Sequence, residues 1–241
     1  MKNLGELETR IAEYLDREDL GDDIPKFIRL AETKIYRKLR TRENEFTLNI
    51  TETTLPEPIS PITLPQNFRE FKLLTLNDTP INNVSVQRFK AIQASGYNGE
   101  ATFFTTIERK LHLYPWPAET QAVWDSFNLD IVYYGTESIV DMATWTTPTN
   151  PNQVPESDGT PSNTTLRGDN ATTRLFLVAP DVYLYGALAE AYTYLLMPDS
   201  AVMWGGAFTE ALSELENEHS LAEFSGGTTS ISNIYGDGAC L

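Results

Sequence analysis

Residues 180–212 read PDVYLYGALAEAYTYLLMPDSAVMWGGAFTEAL, and this stretch decides the fold. Pro180 and Asp181 suit the first turn of a helix, where a missing N–H costs nothing and a carboxylate meets the positive end of the dipole. Leu184, Leu188, Ala191 and Leu195 then recur at three- and four-residue spacing, the period of one buried helical face. Tyr183, Tyr185, Tyr192 and Tyr194 widen that face. Pro198 is expected to end this helix, and Asp199 or Ser200 to cap the next. Ala201, Trp204, Phe208, Ala211, Leu212 and Leu215 repeat the pattern, which predicts a hairpin of two helices packed side by side. Gly205-Gly206 inside the second helix costs stability but permits a close approach of another helix or subunit.

The start of the chain carries the same period. Leu4, Leu7, Ile11, Tyr14 and Leu15 mark a first helix, and Gly21-Asp22-Asp23 is expected to break it and cap a second. In that second helix Ile24, Phe27, Ile28, Ala31, Ile35 and Leu39 share one face, so both chain ends can pack together. The predicted core of this four-helix bundle includes Ile28, Ile35, Leu188 and Leu195. From Glu45 the period changes to two: Phe46, Leu48 and Ile50 alternate with polar residues, and Asn77-Asp78 reads as a hairpin turn after residues 71–76. Val86, Phe89 and Ile92 predict a short covering helix. Strands are expected near residues 102–107, 110–114 and 124–134, with a turn at Asn98-Gly99. The fold class is α+β: a helical bundle from residues 1–42 and 174–221, and an inserted antiparallel β-rich domain over 43–145. Residues 146–173, rich in Pro, Thr, Asn, Ser, Gly and Asp, read as an extended loop that contacts a neighbour. Residues 222–241 read as a flexible C-terminal docking tail in which Ile231, Ile234 and Tyr235 are apolar anchors for a partner.

Composition narrows the function classes. A chain of 241 residues with 41% hydrophobic content builds one large core or two modest ones. No run reaches the roughly eighteen apolar residues of a membrane span, and no apolar leader follows Met1, so a cytoplasmic product without a membrane role is expected. The single cysteine, Cys240, can form neither an internal disulfide nor a zinc site. The net charge of −16 argues against general nucleic-acid binding, which depends on Lys and Arg neutralising phosphates. That charge is uneven. Residues 1–42 hold ten Lys/Arg against nine Asp/Glu, whereas residues 175–241 hold nine Asp/Glu and no Lys or Arg. Glu210, Glu214 and Glu218 recur every four residues and so share one helical face, a candidate acidic subunit interface or, should the chain enclose a channel, its lining. Arg29, Arg37 and Arg40 of the second helix are the candidate basic counterpart, within or between subunits.

Catalytic signatures are missing from the sequence. His112 and His219 have no Cys, His or Asp at metal-ligand spacing, and no nucleophile elbow or phosphate-cradling loop occurs. No catalytic, cofactor or metal residue is therefore assigned. Asp22 and Asp23 are a carboxylate pair that a glycosidase-like mechanism could use, though sequence spacing does not establish the separation it requires. Tyr114, Trp116 and Trp124 offer the aromatic faces of a carbohydrate-binding β module, a reading that burial of Trp124 and Tyr133 in a sheet core removes. Arg167-Gly168-Asp169 is a three-residue match of the kind that arises by chance.

The run from Pro180 to Ala191, with Asp199 and Trp204, resembles the head-to-tail adaptor proteins of short-tailed bacteriophages, the group of SU10-type adaptors and T7-like tail tubular A proteins. Leu111-His112-Leu113-Tyr114-Pro115, followed by Pro117-Ala118, and Ile131-Val132-Tyr133-Tyr134 carry further likeness, as does the order of elements. The resemblance implies a structural virion protein at the head–tail junction, made in the host cytoplasm and without enzymatic activity. It further implies a homo-oligomeric ring of twelve copies, with the portal protein above and a tail nozzle or tube protein below. Packaged DNA would pass through the channel without specific binding. It also implies that the C-terminal segment, with Ile231, Ile234 and Tyr235, reaches onto the portal.

Overall fold

The computed structural model describes residues 1–17, 19–51, 61–97, 102–115, 127–144 and 168–224. Helix α1 (Leu4–Leu15) opens on Asn3, whose side chain accepts from the Glu6 N–H, and stops at Asp16 in the left-handed region. Helix α2 (Ile24–Lys38) carries Pro25 in its first turn. Asp23 stands at its N-cap without a side-chain cap bond and instead meets Lys26 Nζ at 2.6 Å. The β region contributes β1 (Glu45–Thr51), β2 (Ile62–Thr63), β3 (Phe68–Leu76), β4 (Thr79–Pro80), β5 (Asn82–Asn83), helix α3 (Val86–Ala94), β6 (Phe103–Ile107), β7 (Lys110–Tyr114) and β8 (Asn128–Gly135). The chain then returns to helix with α4 (Ile139–Thr144), α5 (Arg174–Val178), α6 (Pro180–Tyr194) and α7 (Pro198–Phe224).

The helices of both chain ends share one apolar core. Leu7 and Ile11 of α1, Ile28 and Ile35 of α2, Phe176 of α5, Tyr183 and Leu188 of α6, and Leu212 of α7 all belong to it. Helix α6 packs against α1, α2 and α7, so apolar residues line it nearly all round. Gly186 sets the closest approach: a Cβ there would stand 2.8 Å from Ala31 Cβ and 2.9 Å from the Phe208 ring. Ile28, Ile35 and Leu188 are fully buried, whereas Leu195 is half-buried and packs on the core's edge. Pro198 does not end α6. That helix stops at Tyr194, Leu196 takes a φ of 57°, and Pro198 begins α7, where the lost N–H had no helical partner.

The strands form two four-stranded sheets, in the orders β1-β8-β3-β4 and β2-β7-β6-β5. Pairing is antiparallel except between β5 and β6, a parallel pair that departs from the wholly antiparallel expectation. Alternation in β8 turns Leu129, Ile131 and Tyr133 inward. They join Phe46, Ile50, Leu74, Phe104, Leu111 and Leu113 in a second core that draws on both sheets. Asn77 and Asp78 both have positive φ and close the β3–β4 hairpin, as their types favour. Glu108 and Arg109 do the same between β6 and β7 without any Asn or Gly. The turn expected at Asn98-Gly99, most of residues 146–173, and the anchors Ile231, Ile234 and Tyr235 lie outside the described residues. Among the described residues no helix is long and apolar enough to cross a membrane.

The two cores meet along α2 and the segment after β8. Ile139 and Val140 of α4 belong to the helical core, although they follow the last strand closely in sequence. Tyr36 Oη of α2 donates to the Glu137 carbonyl at 2.5 Å and lies 3.4 Å from Tyr183 Oη, which in turn is 3.3 Å from Thr173 Oγ1. Burial pushes both phenols up in pKa, so they stay neutral donors in this chain of hydroxyls. The guanidinium of Arg174 at the start of α5 lies 4.5 Å above the Phe46 ring, tying α5 to the sheet.

Candidate functional site

Helix α2 buries one face and leaves Lys26, Arg29, Lys34, Arg37 and Lys38 exposed. Glu32 interrupts that division, because it is buried at 3% exposure on the core side. Its carboxylate accepts from Ser138 Oγ at 2.6 Å and from the Ile139 N–H at 2.7 Å, closing the first turn of α4. Burial pushes the carboxyl up to about 7, against the opposing pull of these two donors. Around it opens a cleft of about 410 Å³ between α2, β3 and the segment after β8, lined among others by Arg29, Tyr36, Arg37, Arg69 and Asp141.

The charges in this cleft are unequally answered. Arg29 pairs with Asp141. Arg40 donates to Glu70 at 2.8 Å and to the carbonyls of Tyr36 and Leu39, which lie at the C-terminal end of α2. Lys34 pairs with Glu190 of α6. Arg37 and Arg69 have no hydrogen-bond or ion-pair partner among the described residues. Burial, with Arg40 and Arg37 nearby, lowers the pKa of Arg69 against the opposing pull of Glu70. A guanidinium nevertheless keeps its charge at neutral pH.

Arg69 is placed there by a fault in the ladder. Between the pairs Phe68↔Gly135 and Glu70↔Tyr134, and again between Phe71↔Tyr133 and Leu73↔Val132, β3 carries one residue more than β8. Arg69 and Lys72 are these extra residues, and such bulges re-aim side chains. Lys72 is absorbed locally, by Glu45 and by the Tyr134 ring at 5.7 Å. Arg69 is not. Nothing in the spacing of residues 68–76 announces the bulges, so the sequence reading missed this residue.

Glu210, Glu214 and Glu218 are exposed on α7, and none has an ion-pair or hydrogen-bond partner among the described residues. The pairing of this row with Arg29 or Arg40 inside one chain is not formed, because both bases are engaged elsewhere. A second feature absent from the sequence reading lies at the tip of the α6–α7 hairpin. Tyr194, Leu196, Met197, Val202 and Met203 are all exposed there, Leu196 at 87% and Val202 at 75%. Apolar side chains this closely grouped mark an interaction surface. Gly205 and Gly206 follow directly, and a Cβ at either would meet nothing within 4 Å in the chain itself.

His112, Asp23, Tyr114 and Tyr133 are held in packing or ion-pair contacts within the chain. His112 is half-buried with its ring 6.4 Å from that of Phe89, and burial, then Lys90 and Lys110, push its pKa down. Asp23 is held by Lys26. Among the described residues no three His, Cys, Asp or Glu stand together as a metal site. Tyr133 is buried in the sheet core and Tyr114 packs edge-on against Phe89 at 6.1 Å; Trp116 and Trp124 lie outside the described residues.

A comparison with curated proteins gives no match. The family model described as SU10 adaptor protein matches residues 2–230, which takes in both the helical and the β cores. The chain belongs to the SU10 adaptor protein family, a family of structural phage adaptors.

Proposed function

We propose that the chain is a head-to-tail adaptor that forms a ring joining the portal to the tail and enclosing part of the DNA channel. The observation that carries this reading is the family match across residues 2–230. Two features of the subunit support it: an exposed apolar tip at residues 194–203, and unanswered charges of opposite sign on α2–β3 and α7. Such a protein acts by interface formation alone. Residues 1–42 and 174–221 form the bundle that docks below the portal, and 43–145 form the β domain that faces the tail. Residues 146–173 lie along a neighbouring subunit, and 222–241 hold the portal through Ile231, Ile234 and Tyr235. Twelve copies match a twelve-fold portal, and the net charge of −16 lets duplex DNA slide instead of adhering. The test is electron microscopy of the purified protein, alone and with the portal protein of the same phage. Rings stacked on the portal are expected; a chain that stays monomeric in both samples overturns the reading.

A further inference from the structure

The cleft between α2 and β3 presents two guanidiniums, Arg37 and Arg69, whose partners are not found in the described chain. The two other arginines expected to face acidic residues are already engaged, Arg29 with Asp141 and Arg40 with Glu70. The bulge at Arg69 departs from the ladder to put a base here, whereas the neighbouring bulge places Lys72 against Glu45. A side chain re-aimed out of a sheet into a cleft that a second unpartnered arginine also lines fits a surface completed by an anionic group. The chain itself carries a matching group. Glu210, Glu214 and Glu218 project from one face of α7, about 6 Å apart along the axis, exposed and unpartnered.

We infer that the Glu210, Glu214 and Glu218 row of one copy seats on the Arg37–Arg69 cleft of a second copy. This rests on the ring reading above and names the contact that builds it. The carboxylates and guanidiniums lie on different surfaces of the same chain, so the contact is heterologous. Each copy offers both a free cleft and a free row, and repetition of such a contact closes a ring when the rotation allows. Local complementarity selects this occupant: three exposed carboxylates along one face of α7 match the two guanidiniums of the cleft in sign. The exposed Leu30 on the same helix as Arg37, 51% exposed, adds apolar area beside the charges.

The experiment is a charge exchange read by sedimentation and native mass, on the full chain alone and on the portal, at low and high salt. The cleft reversal is Arg37→Glu with Arg69→Glu; the row reversal is Glu210→Lys, Glu214→Lys and Glu218→Lys. Each reversal alone is expected to weaken self-association by about ten-fold or more for every pair lost. Both together in one chain are expected to restore it, and the wild-type contact should weaken with salt. Lys38→Glu, an exposed reversal on α2 equal in charge to Arg37→Glu alone, is the control that leaves assembly unchanged, and circular dichroism checks that every variant folds. Wild-type association that survives either reversal overturns this contact and leaves the ring standing. A cleft reversal that spoils DNA or portal association but not self-association also overturns it, and assigns the cleft to that other partner. A wild-type chain that never self-associates, free or on the portal, removes the ring reading and this contact with it.

Discussion

Glu32 sits where the period of α2 calls for an apolar side chain, and its consequences are measurable. Its carboxyl is pushed up to about 7 from 4.5 by burial. The native chain therefore holds a proton that the unfolded chain has already lost. This group contributes most stability below its unfolded value of 4.5 and loses that contribution as pH rises to about 7, a change of about 3 kcal/mol. Glu32→Gln keeps the shape and can still accept from the Ile139 N–H. Denaturant titrations at about pH 5 and about pH 8 should show a smaller fall in stability for Glu32→Gln than for the wild type. Equal falls would mean that Glu32 titrates normally. Gly186 gives a second test at this scale. An added methyl must displace Ala31 Cβ or the Phe208 ring, an overpacking cost of about 1–3 kcal/mol, set against a helix-propensity gain of about 1 kcal/mol for Ala over Gly. The melting temperature should fall in the order wild type, Gly186→Ala, Gly186→Val, because valine adds more volume and loses most of the propensity gain.

At the scale of elements, α7 carries two glycines whose cost within the subunit is not offset by any close contact. Gly205→Ala and Gly206→Ala should each stabilise the isolated subunit by about 0.5–1 kcal/mol. If a neighbouring copy or the portal lies against this turn, the same changes weaken assembly while raising the melting temperature. Improvement of both properties would show that the turn faces solvent. The helices themselves were legible because residues at helical spacing in α1 and α2 are the ones buried: Leu7, Ile11, Ile28 and Ile35 are all fully covered. The end of α6 was misread because Pro198 looks the same before a break as at a helix start; the left-handed Leu196, which stops the helix, carries no glycine to announce it. The β6–β7 turn at Glu108-Arg109 was legible only as the gap between two expected strands, since its left-handed residues are neither Asn nor Gly. Glu32 and Arg69 were illegible for another: their roles depend on Ser138, Ile139 and Arg37, far away in sequence. Periodicity reports which face is buried, not what meets it.

At the scale of the molecule, two apolar cores are joined by polar contacts along α2, and among the described residues no member of either core lies beyond Leu215. Helix α7 runs on to Phe224. Removing residues 226–241 leaves both described cores whole, so the truncated subunit should unfold at the wild-type temperature. Its binding should not survive equally well. Ile231, Ile234 and Tyr235 would each contribute roughly 1.5–3 kcal/mol when buried on a portal, offset by the entropy of ordering the peptide. One tail alone would bind weakly. Tails arrayed on a ring act together, since each bound tail raises the effective concentration of the next. Deletion of residues 226–241 should thus leave a folded protein that assembles poorly on filled heads, giving particles that leak DNA or lack tails. Truncated protein that joins the portal with unchanged affinity would instead place the docking surface on residues already folded. The exposed tip formed by Leu196, Met197, Val202 and Met203 is then the surface to alter, because Leu196→Asp and Val202→Asp put charge on apolar area without touching either core.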